Sequence, residues 1–357
     1  MNRQLETRFD ALLRALPTLG PGVELILRPT DTGATATLRT DGAPPRVFRA
    51  EGDEVAETFA TADQGLPGAA LLADPSQLQQ ALAACIGSIA AAQLVAWRPA
   101  RRAVARVIAS DGSVHWLKLL DRKSWRRAAA AFAAVGAPLH PTQLALPELL
   151  LPDACAYLVP NVPGSSLRTL AASDAWPTMT TLVRGLMSLG YTDLRAELPR
   201  HDFERARTTA INSLEQGAAL RPELADLPAA IAGMAAPAAP THLGFVHGDL
   251  HDKQLFVDGE RMTVIDLEGM AFGDIRFDLA NLAEHVRLRE LQRSGQDSGR
   301  ADHLLTRCGH GPDDVSMRAF RTVVRARLCG VYALRPRWQP LVASLLAEVR
   351  ELVGRIR

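Results

Sequence analysis

A chain of 357 residues, 47% apolar and 22% charged, is long enough to bury two cores and ordinary enough in composition to be globular. Its 40 Lys and Arg against 39 Asp and Glu leave a net charge of +1, which argues against nucleic acid as the main partner, since that binding rests on a basic surface. Cys85, Cys155, Cys308 and Cys329 are scattered with no C-x-x-C spacing, so reduced and mostly buried thiols in a cytoplasmic protein are expected.

Residues 1–19 carry Arg3, Glu6, Arg8, Asp10 and Arg14 among apolar side chains, the pattern of an amphipathic helix and not of a signal peptide. Strand-like runs follow at 23–27, 34–39 and 46–49, punctuated by Thr-Asp-Thr-Gly and Asp-Gly-Ala-Pro-Pro turns. Residues 1–65 therefore form a helix and a β-rich extension without visible chemistry, either a cap or an addition to the lobe that follows. Asp74-Pro75-Ser76 starts a short helix to about Ile86, because Asp caps a helix and Pro fits its first turn. The most apolar stretch, 81–97, is mostly Ala, is interrupted by Gly87 and Gln93, and falls short of the roughly twenty strongly apolar residues of a membrane span. It reads as a helix end and a strand, with no membrane partner.

Three strands are predicted at 93–97, 102–109 and 114–120, the last two joined by the hairpin signal Ser110-Asp111-Gly112-Ser113. Lys118 lies near the end of the third, with Val114 and Trp116 on its face. The first two are linked by the basic run Arg98-Pro99-Ala100-Arg101-Arg102. A helix at 123–135 follows, and no acidic residue occurs from Arg122 to Pro147. Strands at 144–151 and 157–159 lead into Pro160-Asn161-Val162-Pro163-Gly164. Helices are then expected at 165–172, 176–190, 201–220, 277–293, 314–333 and 338–356. On the last, Leu341, Leu345, Val349, Leu352 and Ile356 recur at spacings of three and four, a stripe that packs on its own domain or forms a dimer seam, so monomer and homodimer both stay open.

The most informative segment runs from Phe245 to Val257 and on to Glu268. It holds His247, Asp249 two residues later, Gln254 five after that, and Asp266 at the end of an apolar run. That spacing suits phosphoryl transfer, which needs a carboxylate near the acceptor hydroxyl and hard oxygen ligands for Mg²⁺ on a nucleotide. A second reading notes that His247, Asp249, His251 and Asp252 are all of metal-ligand type, as in dinuclear metallohydrolases. Such sites need further donors downstream, and His285, His303 and His310 sit in no matching motif.

Over 247–278 the sequence resembles the aminoglycoside phosphotransferase and choline kinase-like family of small-molecule kinases, which shares the protein-kinase fold. The resemblance implies an α+β, bilobal fold: an antiparallel-sheet small lobe at 66–160, a mainly helical large lobe at 161–357, and the site in the cleft. It implies that Asp249 is the catalytic carboxylate, that Gln254, in place of the usual Asn, and Asp266 are the Mg²⁺ ligands, and that His247 is a brace. Gly273-Asp274-Ile275-Arg276-Phe277-Asp278-Leu279-Ala280 looks like the family's G-D-P-x-x-D-L-A with Ile275 where Pro is usual, which gives Asp278 a structural role. Lys118 matches the Lys that holds the α- and β-phosphates, but the helix after it supplies no Glu to orient it. No glycine-rich loop is present, so Arg98, Arg101 or Arg102 is expected to meet the phosphates instead. Backbone groups near Val159 and Asn161 would meet the adenine edge.

The implied function is transfer of phosphate from ATP or GTP, assisted by Mg²⁺, to a hydroxyl of a small molecule. The alternative is a degenerate kinase fold that binds nucleotide or a partner without transfer; the missing Glu favours it and retention of Asp249, Gln254 and Asp266 opposes it. Residues 95–140 hold nine Lys or Arg against two Asp, a net of +7, and residues 188–290 hold seventeen Asp or Glu against ten Lys or Arg, a net of −7. That partition suits a triphosphate on one side and, on the other, a cationic acceptor such as an amino sugar, amino alcohol or aminoglycoside.

Overall fold

The structure, a computed structural model, describes residues 2–20, 22–30, 33–51, 54–135, 142–172, 176–192, 198–240 and 243–356. The chain forms two compact units. One comprises Met1–Arg127, Leu146–Asn161 and Leu334–Arg337; the other comprises Ala128–Ala145, Val162–Ala333 and Trp338–Arg357.

In the first unit, helix α1 (Asn2–Ala15) lays Phe9 and Leu12, both fully buried, onto an antiparallel sheet of β1 (Glu24–Pro29), β2 (Ala34–Arg39), β3 (Arg46–Glu51) and β4 (Glu54–Thr58), in that order. Strand β4 escaped the sequence reading because Glu-Val-Ala-Glu-Thr carries two charges in five residues and little apolar alternation, as befits an edge strand. Helices α2 (Ala69–Ala73) and α3 (Pro75–Ile86) follow. Asp74 caps α3 as foreseen, accepting from the N–H groups of Ser76 at 2.8 Å and Gln77 at 3.3 Å, with Pro75 in the first turn.

The second sheet of this unit uses β5 (Ile89–Arg98), β6 (Arg102–Ala109) and β7 (Val114–Leu120), with the β6–β7 hairpin closed by Gly112 at φ +88°. Helix α4 (Arg122–Ala134) starts in the first unit and ends in the second. The single strand expected at 144–151 is instead two: β8 (Thr142–Leu144), which pairs in the second unit, and β9 (Leu149–Leu151). Pro147 lies in the break between them and has no N–H to give to a ladder. With β10 (Ala156–Pro160) the antiparallel order is β5-β6-β7-β10-β9. Ala103, Ala105, Val107, Leu117, Leu119, Ala156 and Leu158 point from one face into a core with Leu78 and Leu82 of α3. Period-two alternation therefore assigns Arg102, Val104, Trp116, Lys118, Tyr157 and Val159 to the opposite face.

The second unit carries two small sheets and most of the helices: β11 (Ser165–Ser166), α5 (Leu167–Ala172), α6 (Met179–Gly190), β12 (Arg200–His201), α7 (Phe203–Gly217), α8 (Leu227–Ala232), β13 (Gly244–Val246), β14 (Leu255–Asp258), β15 (Arg261–Val264), β16 (Ala271–Gly273), α9 (Arg276–Ser294), α10 (Arg300–Arg307), α11 (Val315–Ala333) and α12 (Gln339–Ile356). The sheets run β11-β14-β15-β8 and β12-β16-β13. Helix α11 packs on α7, α9 and α12, and glycine lets α7 and α11 meet backbone to backbone: a Cβ on Gly330 would stand 2.3 Å from the Ser213 carbonyl oxygen. The buried stripe of α12 keeps Leu345 and Val349 of the expected one and is turned slightly about the helix from it. Its buried line is Val342, Leu345, Leu346, Val349 and Val353; Leu341 and Leu352 are half-buried at its edge, and the side chain of Ile356 lies outside the described residues. Among the described residues no helix is long and apolar enough to cross a membrane.

Candidate active site

The loop between β13 and β14 is held from below by α9. Asp278, in the first turn of α9 and buried, accepts from the N–H of His247 at 2.5 Å and of Gly248 at 3.1 Å. Burial pushes its carboxyl up to about 6, against the pull of His247 and of the backbone N–H groups of His247, Gly248 and Leu250. One turn along α9, Asn281 donates to the Leu250 carbonyl at 2.8 Å, so two residues three apart on one helix face fix both sides of Asp249. Gly248 turns the chain at φ +83°, where a Cβ would stand 2.7 Å from the Gly269 carbonyl oxygen. A side chain at this position has no room for its Cβ on this backbone.

His247 ties this loop to the strand before Asp266. Its Nε2–H donates to the Ile265 carbonyl at 2.8 Å while Nδ1 stands 3.3 Å from the Asp249 N–H, so both ring nitrogens are engaged within the site. Gln254 and Asp266, twelve residues apart, meet directly: the Gln254 amide donates to Asp266 Oδ2 at 3.2 Å, and Gln254 Oε1 accepts from the His251 N–H at 3.1 Å. Since a backbone N–H can only donate, the amide orientation is fixed. Asp266 itself is left-handed, at φ +69° and ψ 48°, one of three non-glycine residues with positive φ among the described residues. Held strain of that kind costs about 1–3 kcal/mol and clusters at functional positions.

Arg327, on α11 and 78 residues beyond Asp249, is a residue the sequence gave no signal for. Its Nη1 and Nη2 donate to Asp249 Oδ1 at 3.1 and 3.2 Å, and Nη2 also donates to Asn281 Oδ1 at 2.9 Å. The Asp249 side chain nevertheless keeps half its surface open. Asp252 is buried on Arg289 at 2.9 Å, and the His251 and His285 rings lie 4.9 Å apart. His285 is buried and neither ring nitrogen has a hydrogen-bond partner among the described residues. Burial first, then the nearby His251, Arg327 and Arg289, hold it well below the usual imidazole range, hence neutral. His247, His251 and Asp252 are thus each engaged within the loop or with Arg289, and among the described residues no three His, Cys, Asp or Glu side chains gather as a metal-holding group. The dinuclear hydrolase arrangement therefore has no counterpart among these residues.

In the first unit, β6, β7 and β10 bring Lys118, Arg102 and Val159 to one sheet face. Lys118 stands opposite Val104 and Tyr157, with its Nζ 5.7 Å from the Tyr157 ring centroid. Val159 stands opposite Trp116, and the Trp116 indole donates to Asn161 Oδ1 at 3.1 Å, so the Asn161 side chain is turned to its neighbour strand. Arg98 and Arg102 close the β5–β6 turn as a directly opposed pair, and Arg101 sits within the turn, its carbonyl accepting from Asp121 N–H at 3.0 Å.

The model of the phosphotransferase enzyme family matches residues 98–320, more than half the chain and both sets of residues. The chain belongs to the phosphotransferase enzyme family. The α+β, protein-kinase-like fold expected from the sequence is the fold of that family. Over 52 residues the chain is 42% identical to methylthioribose kinase of Bacillus velezensis, a match that spans 15% of this chain and 13% of that protein. Among solved structures it is similar to macrolide 2'-phosphotransferase MphH from Brachybacterium faecium (18% identity, 76% of this chain and 98% of that one, TM-score 0.47). It is similar also to aminoglycoside phosphotransferase APH(3'')-Id from Streptomyces rimosus (16%, 73% and 98%, 0.48) and choline kinase LicA from Streptococcus pneumoniae (11%, 79% and 99%, 0.47).

Proposed function

We propose that this member of the phosphotransferase family moves the γ-phosphoryl of ATP or GTP to a hydroxyl of a small molecule. The observation that carries the reading is the direct contact of Gln254 with Asp266 beside a loop whose next carboxylate, Asp249, is fixed by Asp278, Asn281 and Arg327. An amide oxygen and a carboxylate are hard donors that suit Mg²⁺; here the Gln254 NH₂ faces Asp266 and its Oε1 faces the His251 N–H, so Gln254 would hold the ion beside Asp266 only with its amide turned over. When bound, Mg²⁺ would offset charge on the β- and γ-phosphates.

In this reading 66–160 is the nucleotide lobe and 161–357 the catalytic and acceptor lobe. Lys118 and the arginines of the β5–β6 turn bind the donor's phosphates, and the backbone near Val159 and Asn161 meets the base. Asp249 accepts a hydrogen bond from the acceptor hydroxyl, orients it in line with the γ-phosphorus and takes its proton as the new O–P bond forms and the bond to the β-phosphate bridge oxygen breaks. Arg327 holds Asp249 in that aim; His247 and Asp278 hold the loop.

Amino sugars, amino alcohols and aminoglycosides are the first acceptors to try. Their charge is no longer argued by the −7 of residues 188–290, because Arg321, Arg325 and Arg350, from outside that segment, pair with its Glu284 at 2.6 and 2.9 Å and its Asp226 at 3.0 Å. Neutral and anionic polyols belong in the same panel, since Arg327 adds a cation beside Asp249. Binding without transfer is the second reading, favoured by Arg327 already occupying Asp249 Oδ1. Phosphorus NMR of the protein with Mg·ATP or Mg·GTP and such a panel separates the two: a phosphomonoester and nucleoside diphosphate support transfer, and nucleotide binding with no product from any acceptor supports the rival.

A further inference from the structure

The hairpin between β6 and β7 gathers three side chains that the phosphotransferase chemistry does not use. Ser113 closes the turn and is exposed. His115, two residues on, is buried on the face of β7 that carries Leu117 and Leu119 into the core, opposite Val107 of β6 and Pro160 of β10. Ser113 Oγ stands 2.9 Å from His115 Nε2. On the far side of the ring, Nδ1 stands 2.5 Å from Glu148 Oε1, a carboxylate 33 residues away in the chain. The backbone brings Glu148 there: its N–H donates to the Leu158 carbonyl at 2.9 Å, which seats the residue before β9 on β10.

The order is hydroxyl, imidazole, carboxylate, with each ring nitrogen on the partner that activation of a nucleophile needs. An ionised Glu148 can only accept, so it holds a proton on Nδ1; in the neutral ring Nε2 is then bare and accepts from the Ser113 hydroxyl. His115 keeps 11% of its side-chain surface open and Glu148 29%, while Ser113 is exposed, so the hydroxyl is the member a solute reaches most freely.

The rest of the turn bounds what this trio can do. Asp111 Oδ1 accepts from the Ser113 N–H at 2.8 Å, and the Ser113 hydroxyl, then that N–H, hold the Asp111 carboxyl below its usual range. The Gly112 N–H is engaged by the Ala109 carbonyl at 2.9 Å and the Ser110 N–H by the Ser88 carbonyl at 2.8 Å, while the Asp111 N–H turns to its own carboxylate. An oxyanion formed at Ser113 therefore meets a carboxylate and no free N–H of the turn. A missing oxyanion donor costs about 10²–10³ in rate, which restricts the chemistry to acyl groups with good leaving groups.

We infer that Ser113, His115 and Glu148 form an acyl-transfer site apart from the phosphotransferase residues: Ser113 is the nucleophile, His115 Nε2 its base, and Glu148 the positioning residue that orients the ring. Its substrate class is neutral or cationic aryl esters and thioesters, since Asp111 repels an anion. As Ser113 Oγ bonds to the carbonyl carbon, its proton passes to Nε2. The bond from that carbon to the leaving oxygen or sulfur breaks, the leaving group takes the proton from Nε2, and Ser113 is left as an ester. Water then cleaves that ester slowly, its oxygen going to the acid released and one of its protons passing through Nε2 to Ser113 Oγ.

The test treats the full chain with a neutral alkyl fluorophosphonate, whose P–F bond breaks as Ser113 Oγ bonds to phosphorus, and with p-nitrophenyl acetate. Modified peptides are mapped by mass spectrometry and melting temperatures recorded for the wild type, Ser113→Ala, His115→Gln, Glu148→Gln and Cys85→Ser. Cys85 is the control for a competing thiol: it is exposed, and burial, then Glu148, push its thiol up. Both probes are expected on Ser113 in the wild type and in Cys85→Ser, and on that peptide not at all in Ser113→Ala. The rate is expected to fall about a hundredfold in His115→Gln and about tenfold in Glu148→Gln, the latter at an unchanged melting temperature, which a merely structural strap does not give. A carboxylated aryl ester should react severalfold more slowly than its neutral parent, and equal rates overturn the charge preference. Phosphonylation without acetylation overturns the acyl assignment. No label on Ser113, or a wild-type rate in Glu148→Gln, overturns the inference whether or not the protein transfers phosphate.

Discussion

Replacing Gly248 by Ala is a direct probe of how the backbone aims Asp249. At φ +83° an alanine costs about 1–2 kcal/mol more than glycine, from the approach of Cβ to the backbone. Its Cβ would in addition meet the Gly269 carbonyl oxygen at 2.7 Å, a backbone atom of the turn after Asp266 and therefore slow to yield. Relief of that contact adds on the order of 1–2 kcal/mol, so the total is about 2–4 kcal/mol, roughly 5–10 °C in melting temperature for a unit of this size. The shift also moves Asp249, the next residue, by several tenths of an ångström, enough to lower kcat about tenfold or more. Gly259→Ala is the control: it too is left-handed, at φ +58°, but a Cβ there meets nothing within 4 Å, so only the conformational part remains and kcat is unchanged. Scanning calorimetry and steady-state kinetics on both variants give the comparison. Equal melting shifts for the two, with wild-type kcat for Gly248→Ala, would refute the reasoning.

Asp266→Asn is expected to keep the melting temperature within about 2 °C, because Asn tolerates the left-handed backbone, while abolishing most Mg²⁺-dependent stabilisation by nucleotide; a thermal-shift assay with and without Mg²⁺ should show a larger loss than for Lys118→Ala, and an equal or smaller one contradicts the ligand assignment. Arg327→Gln is expected to lower kcat about tenfold with donor KM little changed, since it acts through Asp249; a change in donor KM alone sinks that role. Burial, then Arg205, holds His201 down at about 4, below its ordinary 6.5, so its contribution to stability is complete above pH 6.5 and is lost as pH falls toward 4, about 3 kcal/mol in all. Asp278, raised to about 6, contributes in the opposite direction over 6 to 3.8, so the measurement is the denaturation difference between wild type and His201→Asn from pH 7 to 4, in which Asp278 cancels; a difference that does not shrink by that order on acidification contradicts the burial of a neutral imidazole.

What the sequence made legible was local. Asp74-Pro75, the Asp111-Gly112 hairpin and the apolar alternation of β6 and β7 each fix their element within a few residues, and all were found where expected. The contact of Gln254 with Asp266 follows from a short antiparallel pair, β14 and β15, that turns at Gly259. Arg327 and Glu148 were illegible because each acts across a long stretch of chain, 78 residues to Asp249 and 33 to His115, on elements whose own pattern shows only an amphipathic helix or a loop. Helix α10, eight residues long, and strands β12 and β16, two and three residues, are too short to carry a period. Counting charge along the chain failed for the same reason: the partners of Glu284 and Asp226 come from α11 and α12, not from their neighbours in sequence.

The central claim is transfer with Asp249 as the base. Phosphorus NMR of Mg·ATP with the acceptor panel, run side by side for the wild type and Asp249→Asn at matched nucleotide occupancy, tests it most directly. The account predicts a phosphomonoester and ADP from the wild type, and a variant that binds nucleotide equally but forms product slower by on the order of 10²–10⁴. Product at the wild-type rate from Asp249→Asn, or none from the wild type with any acceptor, would contradict it.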